Sequence, residues 1–216
     1  MAEKENKEIG LGYSLVGIVE KKGKKAEIEE GERVLALAPH ASYVKVKATP
    51  QFIVKVPERV SSDIATVGIL GSVAFHIVER ANIKIGESVG VLGQGIVGSL
   101  CMQIAKICGA KPVVAIDIDD ERLEIAKEYG ADCCINPEKE DIKKTISDLT
   151  NGEMLNIAIE ATGKASPVNI GKEILGLWGR LVLSSYTNEL ISFALHDDLS
   201  LIHISEPTRL GMISYA

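Results

Sequence analysis

Three glycines and one acid carry the clearest chemistry in this chain. Gly93, Gly95 and Gly98 stand in the pattern G-x-G-x-x-G, and Asp117 follows the last of them by 19 residues. That spacing suits recognition of a dinucleotide. The first glycine allows a tight turn, the second lets backbone approach a pyrophosphate, and the third lets a helix pack closely on a strand. Gln94, Ile96 and Val97 fill the remaining places of the turn. Unpaired N–H groups at the start of the helix, with its dipole, attract phosphate. Asp117 accepts hydrogen bonds from adenosine ribose hydroxyls and repels a 2′-phosphate, which favours NAD over NADP. The same glycines could form a strand–helix turn that binds nothing, and a methyltransferase also carries a glycine turn followed by an acid.

The flanking sequence supplies the elements that must position these residues. Val89 to Leu92 is an apolar run ending at the glycines. Apolar residues then recur at helical spacing (Ile96, Leu100, Ile104, Ile107) until Gly109, and Val113 to Ile116 forms a second run ending at Asp117. The alternation continues. Asp119 caps a helix over 120–129, Cys133 to Asn136 is a third strand, and 139–149 is an amphipathic helix. Leu155 to Ala161 is a buried fourth strand. Ser166 as N-cap, Pro167 at the first helical position and Gly179 after the end delimit another helix, before a fifth strand over 181–184. Strands alternating with helices give an α/β fold with a doubly wound parallel sheet, in which no sixth strand is legible. Before this region, short strands over 12–20, 31–36 and 52–56, with Val44 and Val46 between them, read as part of a small antiparallel barrel. Residues 61–81 read as one linking helix, and Met1 to Ile9 as a frayed terminus.

Composition narrows the classes of function. The net charge of −6 gives no reason to expect nucleic acid or an anionic membrane surface as partner. No apolar run is long enough to span a membrane and no signal peptide is visible, so a reducing cytoplasm is the default location. The four cysteines show no metal-ligand ladder. Cys101 and Cys108 read as small core residues on one helix face. Cys133 and Cys134 read as neighbours in a strand, with a vicinal disulfide as the alternative. After Asp198 the pattern is lost. Leu199 to Arg209 and Ile213 to Ala216 read as the in-frame translation of a transposase-type sequencing adapter, against the alternative of a natural amphipathic tail. His203, Glu206 and Arg209 are therefore left out of any site.

Taken together, GYSLVGIVE, GERVLAL, RANIKIG, the glycine turn, RLEIAKEYGAD and IEATG resemble the medium-chain dehydrogenase/reductase superfamily, over roughly Gly12 to Tyr186. The resemblance implies a Rossmann domain preceded by part of a GroES-like β-barrel. The expected boundaries are 1–60 for the partial barrel, 61–198 for the NAD-binding domain and 199–216 for the non-native tail. It also implies an NAD-linked oxidoreductase acting on a small alcohol or carbonyl substrate, and a dimer or tetramer. By family position, Ile118 and Arg122 join Asp117 around the ribose, while Ala161, Thr162, Gly163, Ser184 and Ser185 close the fourth and fifth strands and face the cofactor. Thr162 and Ser185 have a plainer reading as strand ends.

The catalytic metal is where the sequence departs from the resemblance. Zinc members carry G-H-E-x-x-G-x-V; here Tyr13 and Ser14 occupy the His and Glu places. A second ligand, a cysteine, aligns near Ile69. Neither tyrosine nor isoleucine replaces an imidazole or thiolate at zinc. No metal is therefore expected, and the nearest branch resembles bacteriochlorophyllide hydroxyethyl dehydrogenase and its relatives. Without zinc, another group must stabilise or protonate the developing alkoxide. Tyr13, Ser14 and His40 are the candidates, although Tyr13 also reads as barrel packing and His40 as turn support. Sequence expected before the G-Y-S motif and after the Rossmann region is missing from the chain. The expectation is a fragment that binds NAD weakly or not at all and turns over nothing. A catalytically silent nucleotide sensor and a Rossmann methyltransferase are the rival readings.

Overall fold

The computed structural model describes residues 12–185 and 188–191, and the backbone of 204–205. The chain divides into two compact units, Met1–Ser72 and Val73–Ala216. Met1 to Ile9 and almost all of the adapter-like tail lie outside the described residues.

The first unit holds a three-stranded antiparallel sheet of β1 (Ser14–Ile18), β2 (Arg33–Leu37) and β3 (Ile53–Lys55), in that order. Val34 and Ala36 alternate inward along β2, as a half-buried strand requires. Val44 and Val46 alternate in burial too, but that segment pairs with no strand and stays irregular. Alternation without a partner does not make a ladder. Arg33 holds the exit from the sheet: its guanidinium donates to the carbonyls of Pro57 and Val60.

The expected linking helix is broken into α1 (Ser62–Thr66) and α2 (Gly68–Ala81). Ser61 caps α1 through its hydroxyl, which accepts from the Ile64 amide. Thr66 ends it, because its carbonyl accepts from the Ser14 hydroxyl at 2.6 Å instead of continuing the helical ladder. A Cβ on Gly68 would fall 2.6 Å from Leu35 Cδ2, so the break also brings backbone close to β2.

The second unit is built on β4 (Val89–Leu92), β5 (Val113–Ile116), β6 (Cys133–Ile135), β7 (Leu155–Glu160), β8 (Leu175–Leu183) and β9 (Ile204–Ser205). These form one parallel sheet in the order β6-β5-β4-β7-β8-β9. Helices α3 (Ile96–Ile107), α4 (Asp120–Glu128), α5 (Ile142–Leu149) and α6 (Ala165–Glu173) connect successive strands. Cys101, Met102, Ala105, Leu123 and Ala126 cover one face with Val89, Val91, Val113 and Ile157; Ile146, Val168 and Ile174 cover the other with Leu92, Val114 and Leu155. With both faces buried, the central strands carry unbroken apolar runs.

Five local expectations are corrected. The buried stripe of α3 is Gly98, Cys101, Met102 and Ala105, while Ile96 and Ile107 are exposed. Gly98 lets the helix lie close to the preceding turn, and Leu100 and Ile104 are partly buried against the same core, so only the two end isoleucines of the expected stripe face away from it. Cys108, just past the helix end, is exposed and not core. Helix α6 starts at Ala165 with Lys164 at the N-cap; the Ala165 amide is satisfied by Glu189 at 2.7 Å, not by Ser166. β8 begins at Leu175, well before the strand expected over 181–184, and its register against β7 shifts between Leu155 and Ile157, with Gly176 to Gly179 bulging. A sixth strand exists as β9, whose two residues pair with Leu181 and Val182; two residues are too few to leave a periodic signal.

Candidate cofactor-binding site

The chemistry-bearing residues of the second unit gather at the carboxyl ends of β4, β5, β7 and β8. In an open parallel sheet this is the ligand-binding edge, and the topological switch point lies where strand order reverses beside β4.

Each glycine has a separate geometric reason to be there. Gly93 has φ +91°, a left-handed conformation that a side chain would strain, and a Cβ there would also meet Thr162 Cγ2 at 2.7 Å. A Cβ on Gly98 would fall 1.8 Å from the Gly93 carbonyl oxygen, so the first turn of α3 lies directly on the turn that precedes it. Around Gly95 the opposite holds: no atom lies within 4 Å of where its Cβ would be. The fold does not require glycine there; a ligand approaching the backbone would. Gly95 is also the N-cap and offers no side-chain cap. The first-turn amides of Ile96, Val97 and Gly98 are thus left for an external acceptor, as at anion sites on helix N-termini.

Asp117 ties the second strand to the glycine turn. One carboxylate oxygen accepts from the Gln94 amide at 2.6 Å, the other from the Asp119 amide at 3.0 Å. Arg122 Nη1 lies 3.8 Å from Asp117, and its Nε lies 3.5 Å from Asp119. A carboxylate has about four acceptor positions, so Asp117 keeps capacity for ribose hydroxyls while it shapes the loop. Ile118 beside it is exposed. Gln94 folds back, donating to the Val91 carbonyl at 2.9 Å, while its own carbonyl oxygen is buried without a partner among the described residues.

On the far side of β4, Ala161, Thr162 and Gly163 interlock with the glycine turn. The Ala161 amide donates to the Leu92 carbonyl, and Gly163 has φ +74°. The Thr162 hydroxyl donates to Glu160 and accepts from the Lys164 amide at 3.1 Å. Ser184 is bound back to the Glu160 carbonyl by its amide and its hydroxyl; Ser185 follows it, half-buried. Glu160 is the residue that sequence reasoning overlooked. The signal was present: an acid terminating the buried run LNIAIE, where solvation alone gives no reason for one.

Tyr13, Ser14 and His40 all lie at one end of the first unit's sheet. The Tyr13 carbonyl accepts from the Ala38 amide, which sets β1 against the exit of β2. Gly12, at φ +68°, gives its Cβ position to the His40 ring, whose Nε2 would be 2.2 Å from an added methyl. Tyr13 and His40 are exposed, and the Ser14 hydroxyl proton is committed to Thr66. The Ser14–Thr66 bond ties the end of α1 to β1, and the two positions that carry zinc ligands in the resembled family are here Tyr13 and Ile69. They do not fit a zinc ion. Among the described residues no group of three or more His, Cys, Asp or Glu is placed to hold a metal. All four cysteines are free thiols; burial pushes Cys101 up to about 12 and also raises Cys133 and Cys134.

Comparison with known proteins decides the family. Residues 97–216 match the family described as zinc-binding dehydrogenase. The chain belongs to that family, within the medium-chain dehydrogenase/reductase superfamily. It is 36% identical over 146 residues to D-xylulose reductase A of Aspergillus oryzae, covering 66% of this chain and 41% of the relative. It is 32% identical over 152 residues to an alcohol dehydrogenase of Cupriavidus necator, covering 69% and 42%. Among solved structures, zinc dependent alcohol dehydrogenase 2 from Streptococcus pneumonia superposes with a TM-score of 0.82 at 25% identity, over 90% of this chain and 66% of that one. The chain spans about two-fifths of the length of these curated relatives. The methyltransferase reading falls with this assignment. Among the described residues no helix is long and apolar enough to cross a membrane.

Proposed function

We propose that this chain is the cofactor-holding portion of an NAD-linked oxidoreductase that interconverts small alcohols or polyols and their carbonyl compounds without catalytic zinc. The observation that carries the cofactor assignment is the contrast between Gly98, which the fold demands, and Gly95, which faces open space and which only a ligand demands. In this reading the pyrophosphate lies on the amides of Ile96, Val97 and Gly98, and Asp117 receives the ribose. The nicotinamide supplies the hydride acceptor or donor. Ala161 to Gly163, with Ser184 and Ser185, wall the crevice on the β7 and β8 side and exclude water there. The preference for NAD over NADP rests on Asp117, where a 2′-phosphate would meet a carboxylate already held in place by two amides.

The zinc-free assignment is supported by Tyr13, Ser14 and Ile69 at the positions where zinc members place or support ligands. Tyr13, Ser14 and His40 remain the proposed sources of alkoxide stabilisation and proton transfer. Turnover, and assembly into a dimer or tetramer, belong in this reading to a protein of the relatives' length. The chain alone is expected to bind NAD weakly and to turn over nothing. The test uses the parent reading frame at full length, assayed with NAD and a panel of alcohols and polyols before and after exhaustive dialysis against a chelator. Activity that survives dialysis supports the proposal. Activity lost on dialysis and restored by zinc refutes it, and tight NADH binding without any turnover would favour the nucleotide sensor.

A further inference from the structure

Glu160 is 2% exposed at the end of β7, yet it is an acid. One of its carboxylate oxygens takes three donors: the Thr162 amide at 2.6 Å, the Gly163 amide at 3.1 Å and the Thr162 hydroxyl. Among the described residues no lysine, arginine or histidine pairs with Glu160, and the three donors to its carboxylate are neutral dipoles. Burying such a charge is costly, and a serine or asparagine could bind the same loop without it. Its place in the sheet gives it a use. Asp117 fixes the adenosine half of a dinucleotide on the β5 side of β4, so the nicotinamide half falls on the β7 and β8 side, where Glu160 sits.

We propose that Glu160 biases the site toward the oxidised cofactor. The nicotinamide ring is cationic in NAD and neutral in NADH, so a buried carboxylate on its side of the crevice stabilises the first and not the second. Glu160 is then a specificity-determining residue for redox state, in addition to organising the β7 loop. This rests on the cofactor assignment above. At protein-like dielectric, two unit charges about a nanometre apart change an equilibrium constant by roughly tenfold.

The test is titration of the 216-residue chain, followed by ligand-observed NMR into the millimolar range, with NAD, NADH and ADP-ribose. Glu160→Gln preserves an acceptor for the loop amides but removes the charge. It should weaken NAD relative to NADH by roughly tenfold and leave ADP-ribose, which lacks the ring, unchanged. Glu160→Asp should keep the wild-type ratio. Equal weakening of NAD, NADH and ADP-ribose by Glu160→Gln would reduce Glu160 to a loop support and overturn the proposal. Binding of none of the three by the wild type would overturn the cofactor assignment itself. Should Glu160→Gln fail to fold, the wild type decides: it must hold NAD at least as tightly as NADH, and a tenfold preference for NADH overturns the inference.

Discussion

Replacing Gly95 and Gly98 separately by alanine distinguishes what the fold needs from what the ligand needs. At Gly98 the added methyl would lie 1.8 Å from the Gly93 carbonyl oxygen, where ordinary contact begins near 3.4 Å. The deficit of 1.6 Å must be met by backbone on both sides, since neither partner is a flexible side chain. Overpacking of this kind costs about 2 kcal/mol, which for a domain of this size lowers Tm by roughly 5–10 °C. At Gly95 the methyl enters empty space, on a backbone (φ −67°, ψ −177°) that any residue adopts. Stability should therefore change by no more than about 0.5 kcal/mol. The methyl does occupy the approach of a pyrophosphate to the helix amides, so NADH affinity should fall at least about tenfold, roughly 1.4 kcal/mol. Thermal unfolding by circular dichroism and NADH titration on both variants suffice. A Gly95→Ala protein that unfolds early, or binds NADH as the wild type does, refutes the division of labour between the two glycines.

Other outcomes follow from the same contacts. Asp117→Asn keeps an acceptor for the Gln94 amide but loses the charge, so NADP should gain on NAD by roughly tenfold in side-by-side titrations. For Glu87, burial would raise the carboxyl pKa, but bonds from Arg180 and the Lys84 amide outweigh it and leave it lowered; Asp132, between Lys106 and the Val113 amide, behaves likewise. A carboxyl lowered on folding contributes stability above its unfolded value, near pH 4, and loses it as pH falls through the folded one. Urea unfolding should thus show constant stability down to about pH 5 and a decline below it, with a shallower decline in Arg180→Met. Thiol titration of the native chain should label Cys108 rapidly, Cys133 and Cys134 slowly, and leave buried Cys101 unreacted.

How much of this was legible in the residues varies with the range of the interaction. Asp119 capping α4 and the glycine turn opening α3 are set by neighbours within a few positions, and they read directly. The face that α3 buries depends also on Gly98 meeting the Gly93 carbonyl and Ala161, so the apolar spacing located Leu100 and Ile104 on the core but not the exposed Ile96 and Ile107. Helix α6 takes its N-terminal partner from Glu189, a residue on the far side of β8, where Ser166 offered a nearer cap. The linking helix breaks because Ser14 claims the Thr66 carbonyl across 52 positions of sequence. Glu160 was passed over for a related reason: its three donors come from a loop whose shape exists only once β7 lies beside the glycine turn.

In the proposed reading the turn from Gly93 to Gly98, with Asp117, holds NAD. The most direct test is a parallel titration of the chain with NADH, NADPH and S-adenosylmethionine, followed by ligand-observed NMR. NADH should bind saturably, NADPH more weakly by at least about tenfold, and S-adenosylmethionine not at all. NADPH binding as tight as NADH, or S-adenosylmethionine binding without NADH, would contradict it.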